Sequence, residues 1–298
     1  MLKDKYIDYL TFEKRYSAHT ILAYRTDLDD YSSFLLSQYD IIDLLKSDHT
    51  IIRSWLVTLL ERKNSNRSVN RKISTLKSFF RFCEKMGLLI TNPMVKVVAP
   101  KSSKQLPVFL THHNIETLFQ SVDFGLGFKG CRDKLIITLF YATGIRRDEL
   151  VNIKVNDLDL DGGTIKVLGK RNKERIVPIG SAVISEIKNY LLIRHELTSL
   201  LSQANNCNYV FVTSKGLPVN PKLIYTIVHK YLILISSNNK LSPHVLRHTF
   251  ATHMLDDGAD INAIKEILGH SSLAATQVYT HNTIEKLKTI YKQAHPRA

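Results

Sequence analysis

The chain of 298 residues is long enough for two domains of ordinary size, each with a buried core. Its 41 lysine and arginine residues against 27 acidic residues give a formal net charge of +14, which indicates a polyanionic partner, either nucleic acid or an acidic membrane surface. No apolar stretch has the length of a signal peptide or a membrane span, and the three cysteines show neither disulfide nor zinc-ligand spacing. We therefore expect a cytoplasmic protein without disulfides.

The best-patterned segment of the first hundred residues runs from about Ser65 to Lys85. Apolar residues four and three apart predict one buried helix stripe, formed by Val69, Ile73, Leu76, Phe80 and Cys83. The opposite face carries five basic residues, Arg67, Arg71, Lys77, Arg81 and Lys85. From Arg62 to Lys85 there are eight basic residues and one acidic residue, whereas a solvated face usually mixes both signs. We favour a helix that contacts DNA phosphates over an ordinary solvated face.

A change of composition divides the chain. The segment 99–107, APKSSKQLP, is rich in proline, serine and lysine and predicts a linker. We therefore expect a helical N-terminal domain over residues 1–98 and a second domain over residues 108–298. The second domain is mostly helical, but between about Asp157 and Ile179 alternating residues and turn residues predict a three-stranded meander.

Basic residues follow two predicted element ends in the second domain. Arg146 and Arg147 come after a helix that should end at Gly144, and an arginine at the start of the next helix can join backbone N–H groups in holding an anion. The turn GKRNKER crowds four cations that phosphate could contact, although a solvated turn is the commoner meaning: Lys170, Arg171, Lys173 and Arg175.

The segment LSPHVLRHTFATHML carries the most chemistry. Ser242 and Pro243 predict a helix start, and His244 and Arg247 then share one face. That face offers a proton donor beside a guanidinium able to bind phosphate bidentately. A zinc-peptidase motif would need glutamate at position 245, where Val245 stands. With no phosphate-binding loop and no carboxylate cluster, we expect neither a metal nor a nucleotide cofactor.

Together these segments resemble the tyrosine recombinase (phage-integrase-like) family, and within it the Xer type, most of all the XerD group with the XerC group close behind. The family signature of Arg, Lys, His-x-x-Arg, His and Tyr falls in order on Arg146 (ATGIR), Lys170 (GKRNKER), His244 and Arg247 (HVLR), His270 (LGH) and Tyr279 (VYTH). The sequence departs from the family's ATGLRxSEL and GKGNKER by ATGIRRDEL and GKRNKER, the latter placing Arg171 where the family has glycine.

The resemblance implies a mainly α fold with a small β-sheet. A helical N-terminal core-binding (SAM-like) domain would precede an α+β catalytic domain that carries a three-stranded sheet. It also implies that Tyr279 attacks phosphorus, forming a 3′-phosphotyrosine and releasing a 5′-hydroxyl. Arg146 and Arg247 would clamp the phosphate oxygens, with Lys170 as the general acid. In this scheme His244 assists proton transfer and His270 orients the phosphate.

The implied partners are double-stranded DNA with a dif-like site, a XerC-like recombinase in a heterotetramer on DNA and an FtsK-like translocase as activator, with no membrane partner. The main hypothesis is resolution of chromosome dimers. An integrase of a mobile element is a second hypothesis, which the short N-terminal region disfavours. A non-catalytic architectural DNA-binding protein is a third, disfavoured by the complete set of six residues. The C-terminal helix has one apolar face, with Ile284, Leu287 and Tyr291, and it packs on its own domain or on a neighbouring subunit.

Overall fold

The computed structural model describes most of the chain, namely residues 2–101, 108–169, 173–200, 207–238, 241–269 and 281–295, without the side chains of 281–287. The chain divides into two compact units, Met1–Gln105 and Leu106–Ala298. Within the described residues, no helix combines the length and the apolar character that crossing a membrane requires. The predicted linker lies mostly outside the described residues, at 102–107.

The first unit is helical. Its α-helices are α1 (Leu2–Asp8), α2 (Ala18–Tyr39), α3 (His49–Glu61) and α4 (Asn66–Lys85), with a π-helical turn at Tyr9–Glu13 and 3-10 turns at Leu44–Lys46 and Pro93–Lys96. Side-chain caps start three of these helices, because Ser17, Asp48 and Ser65 each accept hydrogen bonds from first-turn backbone N–H groups. The helix predicted from Ser65 to Lys85 is confirmed, and its apolar stripe is buried.

The core of the first unit surrounds Trp55, which is fully buried. The ring of Tyr31 lies 4.8 Å from the Trp55 ring, and the Lys72 ammonium lies 5.6 Å from its centroid. Lys72 is itself buried and forms ion pairs with Asp27 at 3.3 Å and Asp30 at 2.7 Å, which tie α4 to α2. One of the eight basic residues counted in this region therefore stabilises the interior, where its charge is matched by acids of α2.

The second unit combines helices with one small sheet. Its helices are α5 (His112–Gln120), α6 (Gly127–Thr143), α7 (Arg147–Val151), α8 (Ser181–Leu200), α9 (Pro221–Leu232), α10 (Pro243–Asp256), α11 (Ile261–Leu268) and α12 (His281–Ala294), with a 3-10 turn at Val155–Asp157. Its strands are β1 (Leu158–Asp159), β2 (Thr164–Leu168) and β3 (Glu174–Pro178). They form an antiparallel sheet in the order β1-β2-β3, so the predicted meander is confirmed.

Helix α6 forms the centre of the second unit, where it packs against α8, α9 and α10. It begins at Gly127 and ends as predicted at Gly144, which adopts a left-handed φ of 58°. A Cβ at Gly144 would lie 2.6 Å from side-chain carbons of both Leu268 and Phe250. Only glycine fits this close approach, which brings the end of α6 against the end of α11.

The C-terminal helix α12 packs on its own unit, where it contacts β3, α10 and α11. Tyr291 and His295 are buried, with their rings stacked 4.9 Å apart, and His295 Nε2 lies 3.2 Å from the carbonyl oxygen of Tyr141. The side chains of Ile284 and Leu287 lie outside the described residues. Of the two packing modes that the sequence leaves open, this structure has the intramolecular one.

Candidate active site

Arg146 is held from two sides at the start of α7. It is the N-cap residue, and its backbone N–H and Nη1 donate to the two carboxylate oxygens of Glu149 at 2.9 and 2.7 Å. Its Nη2 donates to the carbonyl oxygen of Gly269 at 3.1 Å. One third of the side chain remains exposed, so the guanidinium is fixed in direction and still open to a ligand.

Arg247, in the first turns of α10, contacts the turn at Leu268 and Gly269 that Arg146 also contacts. Its Nη1 donates to Gly144 O at 2.5 Å and its Nη2 to Leu268 O at 2.8 Å. Burial lowers the pKa of Arg247 to about 10, with the charge of Arg146 adding to this effect and that of Glu149 opposing it. The guanidinium is therefore cationic at neutral pH. Two arginines that are 101 positions apart in sequence thus bind consecutive carbonyls of one turn.

A buried ion pair, which the sequence did not reveal, supports these arginines. Arg175 donates from Nη1 and Nη2 to the two carboxylate oxygens of Glu149, at 3.0 and 2.8 Å. Burial alone would raise the pKa of Glu149, but the hydrogen bonds and charge of Arg175, together with Arg146, lower it to about 2. Glu149 is therefore ionised throughout the physiological range.

The burial of Arg175 corrects the prediction that it belongs with the exposed cations of the GKRNKER turn. Only 4 % of Arg175 is exposed, because alternation along β3 turns Arg175 and Val177 into the core while Glu174 faces outward. The alternation of polar and apolar residues in the sequence ERIVP could therefore have indicated that Arg175 is buried. The spacing of Arg146 and Glu149 likewise matches an N-cap residue and a third helical residue whose carboxylate reaches back to it.

The charge balance of this cluster suits a phosphodiester. Three guanidinium groups (Arg146, Arg175 and Arg247) surround one carboxylate, Glu149, which leaves a surplus of two positive charges. A guanidinium has five N–H donors, so Arg247 has donors left after its two bonds to carbonyl oxygens. Fixed cations of this kind stabilise the negative charge that builds on phosphate oxygens in a transition state.

His244 lies one turn before Arg247 on α10, and its side chain is exposed. Partial desolvation lowers the pKa of His244, and the positive charge of Arg247 lowers it further. The imidazole is therefore neutral at pH 7 and able to accept a proton. Ser242 occupies the predicted N-cap position, although its side chain makes no capping hydrogen bond. In the described part of the chain no three His, Cys, Asp or Glu residues are grouped as metal ligands.

Four predicted site residues lie outside the described residues: Lys170, Arg171, His270 and Tyr279. The segment GKRNKER (169–175) is called the lysine hairpin below. Its base is described, and there the Gly169 N–H donates to Lys173 O at 2.7 Å. Lys173 is exposed. The described structure thus brings Arg146 and Arg247 together, with His244 one turn away from Arg247.

The five predicted DNA-contacting residues of α4 (Arg67, Arg71, Lys77, Arg81 and Lys85) are all exposed, opposite the buried stripe. Two of them also have partners within the first unit. Arg71 forms an ion pair with the buried Asp27, and the Lys85 ammonium lies 5.9 Å from the ring centroid of Tyr9. Contact between this face and DNA stays a prediction.

Comparison with known proteins agrees with this chemistry. Residues 108–286 match the Phage integrase family, and residues 4–87 match the Phage integrase, N-terminal SAM-like domain. Tyrosine recombinase XerC of Oceanobacillus iheyensis is 40% identical over 296 residues, which cover 99% of this chain and 96% of that protein. Tyrosine recombinase XerD of Staphylococcus haemolyticus is 36% identical over 295 residues, covering 99% and 98%.

The fold is also found in a solved structure, that of XerH site-specific recombinase bound to a palindromic difH substrate. The TM-score is 0.70 with 21% identity over 93% of this chain and 77% of that one, a likeness that shows the fold alone. The predicted architecture, mainly helical with a small sheet, a SAM-like first domain and a catalytic second domain, is confirmed. The chain belongs to the phage integrase family of tyrosine recombinases, enzymes that cleave and rejoin DNA at specific sites.

Proposed function

We propose that this chain is a Xer-type recombinase that resolves chromosome dimers at a dif-like site, through transient covalent attachment of DNA to Tyr279. The observation that carries the proposal is the convergence of Arg146 and Arg247 on the turn at Leu268 and Gly269. This turn immediately precedes His270 in the sequence, and Tyr279 follows nine residues later. The cations that hold a phosphate and the segment that carries the nucleophile are therefore linked through a few backbone bonds.

The chemistry follows from the surplus of positive charge. Arg146 and Arg247 hold the two non-bridging oxygens of the scissile phosphate. The Tyr279 hydroxyl loses its proton to His244 as its oxygen forms a bond to phosphorus. The bond from phosphorus to the 5′-oxygen breaks, and Lys170 gives that oxygen its proton. His244 assists proton transfer and His270 orients the phosphate. Because the phosphotyrosine keeps the bond energy, the 5′-hydroxyl of another strand reverses the step without ATP or metal.

The proposed partners rest on the resemblance to Xer-type recombinases. Recombinases named XerC and XerD are similar over nearly the whole chain, and we propose that this protein acts with a second Xer recombinase in a heterotetramer on double-stranded DNA. An FtsK-like translocase would activate the complex during chromosome partition and cell division, in the cytoplasm. The exposed basic face of α4, with Lys173 and Arg171 of the lysine hairpin, would contact DNA phosphates.

The choice between the XerD and XerC roles has support on both sides. The sequence motifs favour XerD, with a XerC-like partner, whereas identity is 40% to a recombinase named XerC and 36% to one named XerD. We propose that the two roles differ in the DNA strand that each protein cleaves. Duplexes nicked in one strand or the other, mixed with both recombinases, will show the strand to which this chain becomes attached.

The first experiment uses a nicked suicide duplex that carries a candidate dif-like site, with and without the partner recombinase. Denaturing electrophoresis should show labelled DNA attached to the wild-type chain. We expect Tyr279→Phe to bind the duplex but to form no covalent product. Tyr225→Phe, which changes an exposed tyrosine of the same unit, should attach like the wild type. Attachment that survives in Tyr279→Phe would refute the assigned nucleophile.

An integrase of a mobile element is the alternative, because it would use the same chemistry. A plasmid with two identical dif-like sites separates the two functions. The proposed Xer function requires recombination between the identical sites, dependent on the partner recombinase. Recombination only between two unlike sites, without a partner recombinase, would favour the integrase.

A further inference from the structure

Arg175 connects three segments of the second unit through one buried side chain. Besides its two bonds to Glu149, its Nε donates to Ile267 O at 2.7 Å. The residue lies on β3, opposite Val167 of β2, just after the lysine hairpin. All three donor nitrogens are therefore used inside the protein.

Each connection leads to a different part of the proposed active site. Glu149 holds the backbone and guanidinium of Arg146. Ile267 is the last residue before the turn whose carbonyls accept from Arg247 and Arg146. Strand β3 carries one end of the hairpin that contains Lys170 in the sequence. A shift of Arg175 would thus change the spacing between all three segments.

The shape of two glycine positions shows how closely this side chain is packed. A Cβ at Gly269, where φ is +64°, would lie 3.1 to 3.3 Å from Cδ, Nε and Nη1 of Arg175. A Cβ at Gly169 would lie 3.4 Å from Glu149 Oε1 and 3.5 Å from Arg175 Nη1. The turn before His270 and the base of the lysine hairpin are both shaped around the same guanidinium.

We propose that Arg175 is a positioning residue for strand cleavage, which sets the distance between the Arg146–Arg247 clamp, the base of the lysine hairpin at Gly169 and the turn at Leu268 and Gly269. It acts through these groups and does not touch DNA. The inference rests on the proposed function, because it takes Arg146, Arg247 and Lys170 as the groups that act on phosphate.

A buried arginine can also serve stability alone, and the same unit contains a matched control of that kind. Arg132 is 6 % exposed, compared with 4 % for Arg175. Its Nε and Nη2 donate to Asp133 at 3.0 and 2.8 Å, and its Nη1 donates to Val212 O at 3.3 Å. Arg132 therefore has the same kind of partners, but none of them touches a proposed site residue.

The test compares Arg175→Lys with Arg132→Lys. Lysine keeps the charge and loses the planar fork, so both variants should lose similar thermal stability. We expect Arg175→Lys to bind the suicide duplex within about twofold of wild type but to slow single-turnover attachment by on the order of 10- to 100-fold, as misplacement by about 1 Å does. Arg132→Lys should stay within about threefold of wild type. Equal rates in the two variants would overturn the proposal.

A second substrate identifies the misplaced group. When a sulfur replaces the bridging 5′-oxygen, the leaving thiolate needs no proton, so a badly placed general acid costs less. We expect this substrate to recover part of the loss in Arg175→Lys. A loss of the same size on both substrates would overturn the link to the lysine hairpin.

Two further measurements keep the test decisive. Hydrogen–deuterium exchange needs no DNA. Peptides covering 164–175 and 261–269 should exchange faster in Arg175→Lys than in the wild type and at the wild-type rate in Arg132→Lys. Unchanged exchange in both variants would refute the positioning role.

If Arg175→Lys does not fold, Glu149→Gln replaces it, because glutamine keeps the shape of the pair. This variant should retain DNA binding and slow attachment by a similar factor. A wild-type rate of attachment would contradict the inference. Failure of the wild type to attach would instead count against the proposed function or the chosen DNA.

Discussion

Replacing Glu149 with glutamine tests the electrostatics of the site through stability. Glutamine mimics the protonated acid, so the variant lacks only what ionisation contributes. Interaction with Arg175 and Arg146 outweighs burial and lowers the pKa of Glu149 from 4.5 to about 2. At about 1.4 kcal/mol per pKa unit, this corresponds to about 3 kcal/mol of folding free energy at pH 7. The side chain is 5% exposed, so solvent screens little of it.

The sign of the pH dependence is also determined. Because the pKa is lower in the folded state, the stabilisation is complete above the ordinary value of 4.5 and is lost as the pH falls toward 2. The free energy of unfolding of the wild type should exceed that of Glu149→Gln by about 3 kcal/mol at pH 7 and by about half as much at pH 3.

Urea unfolding of the full chain, followed by far-UV circular dichroism over this pH range, measures the difference. Glu174→Gln is the matched control, because Glu174 is the neighbouring exposed carboxylate, paired with Lys166 at 3.3 Å. An exposed pair of this kind should contribute less than about 1 kcal/mol. A wild-type advantage over Glu149→Gln that stays constant from pH 7 to pH 3 would refute the reasoning.

Three further predictions concern other groups. The pKa of His244 is lowered from its ordinary value of 6.5, so the imidazole stays neutral until the pH falls below 6.5. The rate of single-turnover attachment should therefore fall below pH 6.5, as His244 becomes protonated, and this pH dependence should vanish in His244→Gln. Asp27→Ala leaves the buried Lys72 with one acid fewer and should destabilise the first unit by about 3 kcal/mol in thermal melts. Lys77→Ala and Arg81→Ala should each flatten the salt dependence of DNA affinity by about one counterion, equally on specific and random duplexes, and an unchanged slope would contradict phosphate contact.

The sequence predicted those features that depend on local signals. Helix α4 begins after its Ser65 cap and buries the expected stripe, and α6 ends at Gly144 with a positive φ. The meander followed from alternation and turn residues within a span of about twenty residues. In each case the determining contacts are close along the chain, so periodicity and caps were sufficient.

The pairing of buried charges was beyond local reasoning. Glu149 and Arg175 are 26 positions apart, and Lys72 reaches acids more than forty positions earlier in the sequence. A charged residue is exposed far more often than buried, so the sequence predicts Arg175 in a basic surface turn and gives no sign that Lys72 is buried. Only the tertiary contacts between α7 and β3, and between α4 and α2, supply the partners that make burial possible.

The position of the single tryptophan gives this protein a built-in optical label. Trp55 is the only tryptophan among 298 residues, it is fully buried in the first unit, and a lysine ammonium lies 5.6 Å from its ring. Intrinsic emission from tryptophan therefore reports on the first unit alone, whereas circular dichroism reports on the helices of both. Unfolding the unmodified chain while recording both signals will show whether the SAM-like and catalytic units melt together, without any added dye.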